Sequence, residues 1–199
     1  DSDQAWQYMI LAGQKAYREY ANHAALRYFS RALDISHDDE ERFEIGCQLV
    51  QVLLRLGDTE NARQRLIRMG QIAADVHRPD WTAMMHFFWS SYYTQISALP
   101  DALREAQQAI NLAETTGDES LAWESYMLLR GALISLNQRD QVVRSNLDLK
   151  IQRLADHLHD TRHVIGLLLT QFDDMYAENP EMSIQGALTA LAKAEQAQN

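Results

Sequence analysis

A helix pair that returns about every 40 residues constrains this chain more than any other feature of its sequence. The pair is plainest in residues 13–35, GQKAYREYANHAALRYFSRALDI. There the small Gly13, Ala25 and Ala32 and the large Tyr17, Leu26, Phe29 and Leu33 fall at helical spacing on facing sides of two short segments. A pair this short cannot bury its apolar side alone, so it must recur beside copies of itself. Overlaying later segments finds those copies. Ala25, Phe29 and Ala32 correspond to Ala62, Leu66 and Met69, then to Ala102, Ala106 and Ala109, then to Val142, Asn146 and Leu149, and finally to Ala187, Leu191 and Ala194. The spacings are 37, 40, 40 and 45 residues. The turns recur too, since LeuAlaGluThrThrGlyAsp (112–118) overlays IleAlaAlaAspValHisArg (72–78) and LeuAlaAspHisLeuHisAsp (154–160). A period this long, with two helices per unit, predicts an all-α helical solenoid.

The local signals agree. Among 199 residues there are only 8 Gly and 3 Pro, and no run alternates apolar and polar residues, so no sheet is expected. The expected helices cover 5–20, 22–35, 41–56, 59–75, 80–96, a segment opened by Pro100-Asp101, 119–136, 141–156, 162–177 and 182–197. Asn22 is the expected N-cap of the second. Acids in the SHDDEE turn sit where the next helix dipole favours them. Gly57-Asp58 and Thr116-Gly117-Asp118 combine a left-handed stop with a capping start. Pro79 suits a first helical turn, and 137–140, 157–160 and Asn179-Pro180 are further breaks. Helix 80–96 is the most aromatic, with Trp81, Phe87, Phe88, Trp89, Tyr92 and Tyr93; these read as core packing around a crowded interface, and the alternative is that Phe87 and its neighbours help line a binding face. In the next helix Ala102, Ala106, Ala109 and Ala113 make a flat stripe that lets helices approach closely.

The net charge of −10 argues against a nucleic-acid surface, which needs clustered Lys and Arg. No run of 18 or more apolar residues is present, so no membrane span is expected. The single cysteine, Cys47, permits no internal disulfide and fits a reducing compartment. The opening DSDQAW has neither a Met nor a signal-peptide pattern, so the chain reads as a piece of a longer cytoplasmic protein.

The repeated pattern resembles the tetratricopeptide repeat over nearly the whole chain. The first unit carries it best, through Gly13 at the small position of the first helix and Ala25, Phe29 and Ala32 along the second. Leu49, Ala62 and the Gly-Asp turn carry it in the second unit, Ala102 and Ala109 in the third. Val142 and Asn146 depart from the expected Ala and aromatic, and the period exceeds the usual 34. The resemblance implies a right-handed α-α superhelix of about five units, approximately 5–38, 39–78, 79–117, 118–160 and 161–199. In that family the first helix of each unit lines a concave groove. The positions that match are Gln7, Gln14, Tyr17 and Arg18, then Glu44, Gln51 and Arg55, then Met84, Phe87, Ser91 and Gln95, then Glu124, Met127 and Ser135. Their amides, arginines and apolar groups imply a protein or peptide partner, with Arg18 and Arg55 holding a partner carboxylate. Residues 12–22 running into 28–33 are similar to the openings of C-terminal repeat regions in large bacterial signalling proteins, which carry an ATPase module upstream. That likeness implies a sensor or scaffold role; self-association is the alternative.

No chemistry competes with this reading. There is no GxxxxGK[ST] and no GxGxxG, so no phosphate-cradling loop is expected, and no cofactor. Cys47 lacks an activating pattern and reads as packing. His157, His159 and His163 are the one histidine cluster, but they fall at a turn without a joining Cys or HExxH, so no metal site is expected. Asp173, Asp174 and Glu178, like residues 38–41, read as solvated charge, and catalysis is not expected.

Overall fold

The computed structural model describes residues 2–136 and 141–158, and within them every regular element is a helix. In order these are α1 (Ser2–Arg18), α2 (Asn22–Asp34), α3 (Asp39–Leu56), α4 (Thr59–Val76), α5 (Pro79–Gln95), α6 (Leu99–Thr116), α7 (Glu119–Ser135) and α8 (Gln141–Leu158). The predicted turn at 137–140 and everything from 159 onward, including the unit expected at 161–199, lie outside the described residues. None of these helices is long and apolar enough to cross a membrane.

Each helix packs against the next in sequence, as a row of antiparallel hairpins must. A second set of contacts decides the shape: α5 also touches α3 and α7 directly. The first helices of successive units therefore form one closely packed layer. The second helices, α2, α4 and α6, make no contact of comparable extent with one another among the described residues. A solenoid tight on one face and splayed on the other curves around the tight face.

The ends of the helices follow their turn chemistry. Asp38 accepts from the Glu41 N–H at 2.9 Å while Glu41 reaches back to the His37 N–H at 2.7 Å, a reciprocal cap for α3. Gly57 (φ 74°) and Gly117 (φ 75°) hold the left-handed stops of α3 and α6. Asp58 and Asp118 then cap α4 and α7 through the Asn61 and Leu121 N–H groups. His77 takes the left-handed position (φ 58°) that Gly117 takes one unit later, so the overlay of those two turns holds in backbone geometry. Asn22 does not act as predicted. Ala21 occupies the N-cap of α2 without a side-chain bond, and the Asn22 side chain sits one residue inside the helix with its Oδ1 buried and unpartnered.

Packing within units rests on small residues meeting large ones. A Cβ added to Gly13 would come within 2.5 Å of the Phe29 ring, and one added to Gly46 within 2.7 Å of Met69. In the third unit α6 presents Ala102, Ala106, Ala109 and Ala113, all fully buried, and the α5 residues that bond to it are Ser90 and His86; Trp81, Phe88 and Tyr92 on α5 instead enter the core shared with α3 and α4. The flat stripe does allow close approach: the Ser90 hydroxyl on α5 donates directly to the Ala102 carbonyl on α6 at 2.9 Å. Between units, Phe43 of α3 stacks on Trp81 of α5 with ring centroids 4.2 Å apart and planes 4° from parallel. Arg78 covers the same indole at 4.7 Å and bonds Asp80 at 2.6 Å and Glu40 at 2.8 Å, which holds the Asp80 carboxyl below its usual range.

The register expected for the fourth unit is corrected. Asn146 and Leu149 are exposed, and Leu147, Ile151 and Ala155 face the core instead; the side chain of Val142 lies outside the described ones. Polar anchors fix that rotation. Asp148 receives the Arg130 Nε at 2.8 Å, with Arg130 itself buried on α7. Lys150 donates to the Tyr126 hydroxyl at 2.8 Å, and that hydroxyl donates to Glu114 at 2.7 Å.

Two stability changes follow. Gly13→Ala should cost about 1–3 kcal/mol by overpacking against Phe29, and Phe29→Leu in the same chain should recover part of it; urea titration reads both. Asp148→Ala should cost about 1–3 kcal/mol, because it removes one charged hydrogen-bond partner of the buried Arg130, whereas Asp156→Ala, on the exposed side of α8, should cost far less.

Candidate functional site

Core packing uses two of the three faces of α3, and what remains is the candidate surface. Phe43, Cys47 and Val50 enter the core shared with α4 and α5, and Ile45, Leu49 and Val52 the core shared with α1 and α2. Left over is a stripe of Glu44, Gln48, Gln51 and Arg55, polar throughout and at least half-exposed at its two ends. On α5 the corresponding row is Met84, Phe87, Ser91 and Gln95. Met84 and Phe87 are half-buried against Leu121 and Ala122 of α7, the Ser91 hydroxyl donates to the Phe87 carbonyl at 3.2 Å, and Gln95 is exposed at the helix end. On α7 Glu124 is exposed, Met127 packs into the core between α6 and α8, and the Ser135 hydroxyl donates back to the Gly131 carbonyl. On α1 Gln14 and Tyr17 are half-buried, and Gln7 and Arg18 are exposed.

Two of these residues, from adjacent units, come together. The Arg55 guanidinium lies 3.5 Å from the centroid of the Tyr17 ring and 5.3 Å from that of Tyr20. Its Nη1 donates to the Tyr17 carbonyl at 2.9 Å. Tyr17 is near the end of α1, and its carbonyl also accepts from the Tyr20 N–H at 3.2 Å, so Arg55 is a second donor to that helix end while it stacks on the ring. The Tyr17 phenol is raised above its ordinary value: burial is the main cause, Arg55 opposes it, and the carboxylate of Glu124 on α7 adds to it. Arg18 is exposed and takes no part in this stacking.

Other candidates resolve more simply. Cys47 is buried, and burial pushes its thiol far above the usual range, which makes it a packing residue. His157 lies 3.5 Å from Glu119 on α7, and His159 and His163 are outside the described residues. One feature left no trace in the sequence pattern. His86 on α5 lies 2.7 Å from Glu105 on α6, in an outer cavity of about 360 Å³ between α4 and α6 that is walled by Trp89 and Tyr93. The pair is 19 residues apart, and no short-range spacing rule reaches that far.

No protein-family model matches the chain, and no curated relative matches its sequence. Among solved structures it is similar to the apo form of RapI, with a TM-score of 0.78 over 98% of this chain and 72% of that one, at 15% identity. At that identity the likeness establishes the fold, a tetratricopeptide-like helical-repeat solenoid.

The convergence on Tyr17 can be read by titrating its ring by NMR. Arg55→Ala removes a cation that favours the phenolate, so the Tyr17 pKa should rise further. Glu124→Gln removes an anion that disfavours it, so the pKa should fall. A Tyr17 titration unmoved by Arg55→Ala would refute the stacking of that guanidinium on the ring.

Proposed function

We propose that this chain is a protein-interaction module whose inner groove takes an extended peptide or a segment of a partner domain. The observation that carries the reading is the stacking of Arg55 on Tyr17, which fixes a cation and an aromatic face from adjacent units on the inner layer. The rows on α3 and α5 add the rest of what a peptide needs. Gln48 and Gln51 supply amides for main-chain groups, and Phe87 and Met84 supply partly covered apolar surface. Arg55 spends Nη1 on the Tyr17 carbonyl and a face on its ring, so a partner carboxylate or carbonyl meets the remaining edge of a guanidinium already held in place. The earlier pairing with Arg18 is not needed for this. The setting is a sensor or scaffold region of a bacterial cytoplasmic signalling or transcription-regulatory protein; the support for it is the likeness of residues 12–22 and 28–33 to such repeat regions. An ATPase module encoded upstream in the same reading frame would bear that setting out, and its absence would remove it.

Self-association is the second reading, supported by Tyr8 and Leu11, which are 62% and 65% exposed on adjacent turns of α1. Peptides selected from a random library against the chain separate the two. The groove reading expects binders whose affinity falls about tenfold or more in Gln51→Ala and in Phe87→Ala chains that keep their helix content. Selected peptides that ignore both changes, with a mass that climbs with concentration until Tyr8→Ser and Leu11→Ser abolish the climb, would replace it with self-association.

A further inference from the structure

The splay of the second helices leaves a cavity of about 360 Å³ between α2 and α4, floored by α3, on the outer layer away from the groove. Leu26, Leu49 and Leu53 give it an apolar floor, Ser30 lies on the α2 wall, and Arg65 and Arg68 form the α4 wall. The volume falls in the range of small-ligand sites, roughly 300–1,000 Å³.

Arg65 is the unusual one of the two. Arg42, Arg78, Arg104 and Arg130 each pair with a carboxylate at 3.0 Å or less. Arg18, Arg27, Arg31, Arg63, Arg68 and Arg153 show no such pair and are exposed, whereas Arg65 makes no hydrogen bond and no ion pair among the described residues although it is half-buried. Arg65 and Arg68 lie three residues apart on α4, where like charges repel. Burial and the neighbouring Arg68 both disfavour the charged form of Arg65, and Asp34 on α2 relieves it only in part. The polar groups at the end of the cavity are already engaged elsewhere. Asp58 takes the Asn61 N–H and the Asn61 amide at 2.7 Å, and the Gln64 amide goes to Glu60 at 2.9 Å. A half-buried guanidinium with a like-charged neighbour and no carboxylate in ion-pair contact is one that an anion would stabilise.

The lining narrows the anion. Asp58 carries negative charge into the same cavity and opposes a multiply charged phosphate, whereas a single carboxylate matches the guanidinium fork. Three leucines beneath the arginines favour an apolar group attached to that carboxylate. We propose that this cavity binds a monocarboxylate carried on a short branched apolar chain, with Arg65 and Arg68 holding the carboxylate and Leu26, Leu49 and Leu53 taking the chain. A leucine at a protein C-terminus and a free branched-chain fatty acid share this chemistry. The site is independent of the inner groove, and its failure leaves that reading untouched.

The test titrates the whole chain, followed by NMR, with N-acetyl-leucine, 4-methylpentanoate, N-acetyl-leucinamide and inorganic phosphate. Both acids should bind, with shifts centred on Ser30 and Arg65, while the uncharged amide and phosphate should bind at least about tenfold more weakly. Arg65→Gln and Arg68→Gln should each weaken the acids about tenfold or more, and Arg63→Gln, on the same helix but outside the cavity, should not. Neither cavity arginine holds the fold together, so Arg65→Gln should leave the Tm unchanged or raised; a clear fall would make it structural and overturn the site. Tighter binding of N-acetyl-leucine would point to a peptide C-terminus, and tighter binding of 4-methylpentanoate to a free acid. Acids that fail to bind, that bind no better than the amide or phosphate, or that ignore both arginine changes would also overturn the proposal.

Discussion

The contact between Gly13 and the Phe29 ring shows the constraint on which the rest of this solenoid depends. Two helices can pair along their length only where the summed side-chain volume between them stays within a narrow range. The first unit meets that with a glycine under a phenyl ring, the second with Gly46 under Met69. The third meets it with four alanines along α6, close enough for Ser90 of α5 to bond the Ala102 carbonyl. Each unit keeps small residues at a different place on the pair, which is why the repeat survives such loose identity between units.

The same constraint shapes both surfaces. Because the first helices pack on one another through α3, α5 and α7, the inner layer is continuous and its unused faces line up as one groove. Because the second helices stay apart, each inter-unit step leaves a trough outside, two of which are cavities of about 360 Å³. The polar content of these spaces differs for a simple reason. Where a helix end abuts a neighbouring unit, cations find partners, as Arg78 finds Glu40 and Arg55 finds the Tyr17 carbonyl. In mid-helix, facing a trough, Arg65 and Arg68 find none.

The boundaries were largely legible because they depend on local chemistry. Gly57-Asp58 and Gly117-Asp118 each contain a residue suited to positive φ followed by a side chain that accepts from an N–H three residues on, and both act so. Asn22 misled because the chain enters α2 one residue earlier, through Ala21. The rotation of α8 misled for a different reason. Its apolar residues at 143, 147, 149, 151, 154, 155 and 158 cover more than one face, so periodicity alone admits several registers. Arg130 and Tyr126 on α7 choose among them through Asp148 and Lys150.

What the sequence determined by itself is therefore the list of helices, their pairing into units and the small residues that let the pairs close, since each is set by residues within one period. The tertiary structure alone decided which helix faces remain uncovered and what meets on them. Tyr17 and Arg55 are 38 residues apart, and they meet only because the first helices of adjacent units pack side by side. That packing is set by the volumes at the interface, a sum over many side chains that no single spacing in the sequence records.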